Sequence, residues 1–294
     1  MNQINMKTYK EIIEKKLDEY IEIKYPQKLY ESMKYSVNAK GKRLRPILCL
    51  ETCRLFSGDY SAALPTACAI EMLHVQTLIH DDLPSMDNDD FRRGIPTNHK
   101  VFGEAVAVLS GDALLSFAPE IILKKSDLPA QTILKVLEQF FNYAGANGVI
   151  AGQIVDIESE HGNSFDEKTL NFIHSHKTAD LFKLPLKTGA IIGGASDEQI
   201  QAIEEFAQNL GFAFQILDDI LDETSTFEEM GKTIGKDENA QKLTYTRLFG
   251  LDKAKCEVNC LLDNAYAILE HNGWKSELFD EIISSIRERA LIQK

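Results

Sequence analysis

The sequence is poor in residues that interrupt helices. Its 294 residues include 17 glycines and 8 prolines, below the average usage of about 7% and 5%, and no proline follows Pro185. Proteins built from strands and tight turns need such breakers often, whereas long helices exclude them. An excess of positive charge is missing as well. Lys and Arg number 32 against 45 Asp and Glu, a net charge of −13, which leaves no basic footprint for non-specific nucleic-acid binding. The five cysteines, Cys49, Cys53, Cys68, Cys256 and Cys260, are odd in number and lack framework spacing, which argues for reduced thiols in a cytoplasm. Two pairs stand four apart, but no His or Cys accompanies either, so they read as small apolar helix residues and not as metal ligands. Met1 to Lys10 holds no apolar signal core. The most apolar stretch, Ala105 to Leu123, is interrupted by Asp112, Pro119 and Glu120, so no membrane span is expected.

What is present points to helices. Apolar types make up 44% of the chain and charged types 26%, enough to bury a sizeable core. Ile203, Phe206, Leu210, Ala213, Phe214, Leu217 and Leu221 recur at steps of three and four, the period of one helix face. Breaks such as Tyr25-Pro26, Ser57-Gly58-Asp59 and His271-Asn272-Gly273 are short, and no long Gly/Ser/Pro linker or fixed repeat divides the chain. The expectation is all-α: a single domain over 1–294, a bundle of about ten mainly antiparallel helices.

Three charged constellations carry the chemistry. The first runs from His80 through Asp81, Asp82, Asp87, Asp89 and Asp90 to Arg92, Arg93 and Gly94. Pro84 biases Leu83 away from helix, so the preceding helix should end near Asp82 and leave Asp81 and Asp82 at its C-terminus. The macrodipole disfavours negative charge there by roughly 0.3–1 kcal/mol each, and a cation should offset it. A calcium loop starting at Asp87 fails, because Phe91, Arg92 and Asn98 stand where an oxygen ligand, Gly and Glu are needed. The second constellation holds Gly211, Gln215, Asp218, Asp219 and Asp222. Asp218 and Asp222 are 40° apart on a helical wheel, and Gln215 and Gly211 continue that stripe; Gly211 should leave room for something bulky. Two such clusters suit Mg²⁺, which takes a few carboxylates plus substrate phosphate oxygens. The third, Lys40-Gly41-Lys42-Arg43-Leu44-Arg45-Pro46, places basic side chains beside a helix N-terminus, an anion site without metal. Two phosphorylated substrates are implied. His74 lies seven residues before Asp81, within 20° of it on the wheel, and could face the same cavity. No GxSxG, HExxH, P-loop or GxGxxG is present.

These motifs, in this order, resemble the trans-isoprenyl diphosphate synthases, close to the bacterial farnesyl-forming members. The resemblance extends through Gly41 to Pro46, Asp81 to Gly94, Pro96 to Lys100, Gly152-Gln153 with Asp156, Lys177-Thr178-Ala179, Gly193-Gly194, Phe214 to Asp222, and Gly231 to Asp237. It implies that Asp81 and Asp87 bind two Mg²⁺ and Asp218 a third, supported by Asp82, Asp219 and Asp222. It implies that Arg92, Lys177, Lys232 and Lys242 hold an allylic diphosphate, with Thr178 and Gln215 near the developing carbocation. Lys42, Arg45, His74 and Arg93 would hold isopentenyl diphosphate. The implied fold is a helical bundle around a central cavity, normally a homodimer, and the implied product is mainly farnesyl diphosphate, with a geranylgeranyl-forming enzyme as the alternative. A non-catalytic subunit on the same fold would be expected to lose an aspartate cluster, and both are intact. One departure concerns chain length. Farnesyl-forming members often carry an aromatic residue five positions before Asp81, and here it is Gln76. The wheel instead turns Thr77 toward Asp81.

Overall fold

Apolar stripes at helical spacing fold into fourteen α-helices among the described residues of the computed structural model, which are 4–161, 166–224 and 243–291. Eleven of these are long: α1 (Met6–Tyr20), α2 (Gln27–Val37), α3 (Leu44–Ser57), α4 (Leu64–Asp81), α6 (Glu104–Lys125), α7 (Ala130–Ala144), α8 (Val149–His161), α10 (Asp180–Gly193), α11 (Asp197–Thr224), α13 (Leu251–His271) and α14 (Glu277–Leu291). Three are short: α5 (Asn98–Phe102), α9 (Glu167–Ile173) and α12 (Tyr245–Phe249). The only sheet among the described residues is a two-stranded antiparallel ribbon, β1 (Phe91–Arg92) and β2 (Ile95–Pro96).

The core is continuous. On α11, Ile203, Phe206, Leu210, Ala213 and Leu217 of the expected stripe are buried, and Phe214 and Leu221 pack against them from its edge. Helix α3 packs on α10, α4 on α6, and α11 on α10 and α13, so α4 and α11 are both enclosed. Polar side chains in this core are satisfied by one another. Glu51 accepts from Tyr9 Oη at 3.0 Å and from Ser276 Oγ at 2.6 Å, and it pairs with Arg54 at 2.5 Å. That network ties α1, α3 and the start of α14 together, as buried polar groups require.

The apolar stretch Ala105 to Leu123, with Asp112, Pro119 and Glu120 in it, lies within one helix. Helix α6 runs unbroken through Pro119. It and the segment Ser61–Asp81 are long and apolar enough, by length and composition, to cross a bilayer; in this fold the two pack against each other. Cys49, Cys53 and Cys68 are buried in α3 and α4, whereas Cys256 and Cys260 are exposed on α13, and all five are free thiols.

Candidate active site

Helix α4 ends at Asp81, with Asp82 as its C-cap, one residue before the point at which Pro84 forbids helix. The chain then folds back on itself. The amide of Asp87 donates to the carbonyl of Asp81 at 2.9 Å, and that of Asp89 to the carbonyl of Asp82 at 3.2 Å. This brings the backbones of Asp81 and Asp87, six apart in sequence, alongside each other. The β1–β2 ribbon reverses at Arg93 and Gly94, with φ of 55° and 81°, as a tight two-residue hairpin requires. Arg92 thereby turns back onto the acidic loop, donating to Asp82 at 2.8 and 2.5 Å and to Asp89 at 3.0 Å. It is the cation that the helix terminus needs. Burial, reinforced by Asp87 and opposed by Lys177, pushes the Asp81 carboxyl up to about 6.

On the opposite wall, α9 passes into α10 through a π-helical turn, His174–Ala179, a distortion that often marks functional positions. The sequence pattern carried no sign of it. Lys177 Nζ makes a close ion pair with Asp156 of α8. Gly152, one turn earlier on α8, makes that approach feasible: a Cβ there would stand 2.2 Å from the Lys177 nitrogen. Thr178 Oγ1 donates to Gln215 Oε1 at 2.5 Å, and Gln215 Nε2 donates to Asp219 Oδ1 at 3.0 Å. Asp219 also accepts from the Tyr245 amide at 2.7 Å and lies 3.4 Å from His174 Nε2. The buried Asp219 thus binds protein groups that orient Gln215 and the π-turn. Asp218 and Asp222 are half-buried on the same helix. Gly211 does not leave space for a ligand as expected. A Cβ there would meet the Ala179 Cα at 2.7 Å, so the glycine lets α11 approach the π-turn.

A cavity of about 360 Å³ lies between these walls, lined by α4, α8 and the π-turn. Its polar lining includes Asp81, Lys177, Thr178, Arg45 and His74; Gln76, Thr77 and Met86 line it together with Ile150, Ile154 and Ile157. Both chain-length candidates therefore face it. Gln215 reaches it through Thr178, while Asp87, Asp218 and Asp222 are not among its lining residues. Lys232 and Lys242 lie outside the described residues.

The basic segment reaches the same cavity through Arg45. Lys42 is exposed, its pKa lowered by burial of part of the side chain and by Arg289, and raised by Asp218. Arg43, at φ 54°, turns inward and pairs with buried Glu71 at 2.6 Å. Arg93 approaches the same carboxylate at 3.6 Å. Gly41 leaves room for that guanidinium, whose Nη1 would stand 2.9 Å from a Cβ. Arg45 lies 3.5 Å from His74 Nε2, and burial pushes its pKa down to about 10. Burial, then the neighbouring arginines, keeps His74 neutral by driving its pKa well below the ordinary imidazole value. Among the described residues, Arg45 Nε, Arg93 Nη1 and His74 Nδ1 are buried without a hydrogen-bond partner. Buried donors left open in a group of arginines suit an anion. Glu71 and Asp156, which anchor Arg93 and Lys177, were not singled out by charge pattern. Asp156 entered the sequence reading only through the family resemblance, with Gly152 and Gln153.

The carboxylates offer the hard oxygen donors that Mg²⁺ prefers. Among the described residues no three His, Cys, Asp or Glu side chains converge to hold a metal alone, a donor set that suits a cation completing its shell with ligand oxygens.

The sequence model of the polyprenyl synthetase family matches residues 26–283. A farnesyl diphosphate synthase of Geobacillus stearothermophilus is 48% identical over 249 residues, 84% of either chain. The chloroplastic geranylgeranyl pyrophosphate synthase 7 of Arabidopsis thaliana is 48% identical over 252 residues, 85% of this chain and 73% of its own. A solved geranyltransferase from Helicobacter pylori, complexed with magnesium and isoprenyl diphosphate, superposes with a TM-score of 0.82 at 29% identity over 98% of both chains. With acidic loop, π-turn and basic loop set around one cavity in the family's helical fold, this chain belongs to the polyprenyl synthetase family.

Proposed function

We propose that the protein is an Mg²⁺-dependent prenyltransferase that condenses isopentenyl diphosphate with dimethylallyl or geranyl diphosphate, giving mainly farnesyl diphosphate and pyrophosphate. The observation that carries this reading is that Asp81, Lys177 and Arg45 line a single cavity, Arg45 keeping its buried Nε donor open. Asp81, Asp87 and Asp218 hold the Mg²⁺ ions, three per site, with Asp82, Asp219 and Asp222 keeping those carboxylates in place. Bound Mg²⁺ neutralises the charge that develops on the departing pyrophosphate. Lys177 and Arg92, with Lys232 and Lys242, hold the allylic diphosphate, and Lys42, Arg45, Arg93 and neutral His74 hold isopentenyl diphosphate.

The allylic C–O bond breaks with its electron pair leaving on pyrophosphate, and the isopentenyl double bond donates its pair to the allylic carbon. A proton then leaves the new tertiary cation for the pyrophosphate oxygens. Thr178 and Gln215 present oxygen atoms toward the developing positive charge. No dedicated side-chain base is needed. Pyrophosphate release measured with each substrate alone and with both tests the reading: release only from the pair supports condensation, and none from the pair rejects it.

A geranylgeranyl product is the second reading. It is favoured by Gln76 at a position where an aromatic ring would close the cavity, and by the likeness to geranylgeranyl synthases. Against it, a Gln amide is a poor lining for a longer apolar tail. Chromatography of the dephosphorylated products separates fifteen from twenty carbons.

The enzyme is further proposed to act as a homodimer. Ile150 and Ile154 line the cavity yet are 50% and 53% exposed, and Val108 and Leu109 on α6 are also exposed. A second copy covering these residues would seal the cavity wall. Light scattering after size exclusion gives the mass; a monomer at assay concentration rejects the dimer.

A further inference from the structure

His80 lines the cavity one turn after Gln76. Its ring is held at both nitrogens. Nε2 lies 3.1 Å from the carbonyl oxygen of Val108 on α6, and a carbonyl can only accept, so Nε2 carries the proton. In that tautomer Nδ1 is an acceptor. Gln76 Nε2 stands 3.0 Å from it and donates. Donation thus runs in one direction, from Gln76 to His80 to the α6 backbone, and it fixes which end of the Gln76 amide faces the ring. The contact depends on a gap in α6. A Cβ on Gly111 would lie 2.0 Å from His80 Nε2 and 2.4 Å from Cδ2, so only glycine admits the imidazole there. A Gln side chain with several accessible rotamers is in this way tied to the backbone of a second helix.

We infer that His80, seated against Gly111, is a positioning residue for product length: it holds Gln76 across the tail cavity and so helps set where chain growth stops. This rests on the proposed prenyltransfer, in which the growing tail extends along α4 away from Asp81.

Three variants separate this role from simple structural support. In His80→Gln the amide can still reach the Val108 carbonyl but offers no acceptor where Nδ1 stood. Gln76 is released, and the ratio of twenty- to fifteen-carbon product rises about fivefold, the equivalent of one ordinary net hydrogen bond. His80→Asn keeps an oxygen near the Nδ1 position and retains a ratio close to wild type. Gly111→Ala expels the ring and shifts the ratio as His80→Gln does. In a Gln76→Ala background the His80→Gln change has no further effect on the ratio, because its target is gone. Product chromatography reads the ratio, and thermal melts confirm that each variant is folded. An unchanged ratio in folded His80→Gln or folded Gly111→Ala overturns the inference. So does an equal shift with and without Gln76. If the wild type releases no pyrophosphate from the substrate pair, the prenyltransfer reading itself falls, a result distinct from active enzyme with an unmoved ratio.

Discussion

Gly152→Ala perturbs the proposed site without touching the cavity, and its effect can be worked from the geometry. Alanine favours a helix interior by about 1 kcal/mol over glycine, so on α8 alone the change should stabilise. The added Cβ, however, would sit 2.2 Å from the Lys177 nitrogen, 2.7 Å from the His176 carbonyl carbon and 2.8 Å from the Lys177 Cα. Ordinary carbon contacts lie near 3.5–4.0 Å, so α8 and the π-turn must separate by about 1 Å. These are backbone atoms and cannot swing aside as a side-chain tip would. Overpacking of this kind costs about 1–3 kcal/mol. The net loss is about 1 kcal/mol, and the melting temperature should fall by about 2–4 °C. Turnover should suffer more. Lys177 and Thr178 ride on the displaced turn, and a misplacement of about 1 Å can cost about 10²-fold. The assay is kcat for pyrophosphate release at saturating substrates, beside a thermal melt. A variant that is more stable than wild type and turns over normally would refute the claim that α8 sets the position of the π-turn.

Five other outcomes are expected. Asp219→Asn cannot accept from both the Tyr245 amide and Gln215 as the carboxylate does; losing a charged hydrogen bond of about 1.5–3 kcal/mol should lower the melting temperature by about 5 °C, and a variant melting with wild type would contradict the anchoring role. Because burial raises the Asp81 carboxyl to about 6, protons should compete with Mg²⁺ below that pH, so the Mg²⁺ requirement climbs as pH falls through 6. The same raised pKa makes the metal-free fold gain stability from Asp81 at low pH and lose it as pH rises through 6; melts of metal-free protein with and without Asp81→Asn read the difference. Lys42→Ala or Arg45→Ala should raise KM for isopentenyl diphosphate more than for the allylic partner, and equal increases would show the two diphosphate sites to be misassigned. Gln76→Tyr should hold product at fifteen carbons or shorten it, whereas Gln76→Ala should admit some twenty-carbon product; if Thr77→Phe shortens the chain while Gln76→Ala changes nothing, the end of the cavity lies at Thr77.

Much of this architecture was legible because local chemistry dictates it. Pro84 ends α4 beside Asp81, the three-and-four spacing of Ile203 to Leu217 buries α11, and sparse prolines permit long helices. What stayed hidden depends on which helices cross. Gly211 read as space for a ligand because a sequence shows the missing side chain but not the Ala179 backbone that fills the gap. Arg43 read as one of several basic loop residues, yet a left-handed backbone turns it onto Glu71, 28 positions away. The π-turn leaves no periodic trace over its six residues, His174–Ala179. Asp219 looked like a metal-cluster member, and its hydrogen bonds to Gln215 and Tyr245 emerge only once α12 packs beside α11. Pairing of Asp81 with Asp87 through the backbone likewise follows from the folded loop and not from spacing.

The central claim is that carboxylates and cations around one cavity transfer a prenyl group with Mg²⁺. Its most direct measurement is pyrophosphate release from dimethylallyl and isopentenyl diphosphates, with and without Mg²⁺, for wild type, Asp81→Ala and Asp218→Ala. The account predicts release by wild type only with Mg²⁺ and both substrates, and a loss of about 10²-fold or more in each folded variant. Release that survives chelation of the metal, or near-normal turnover by either folded variant, would contradict it.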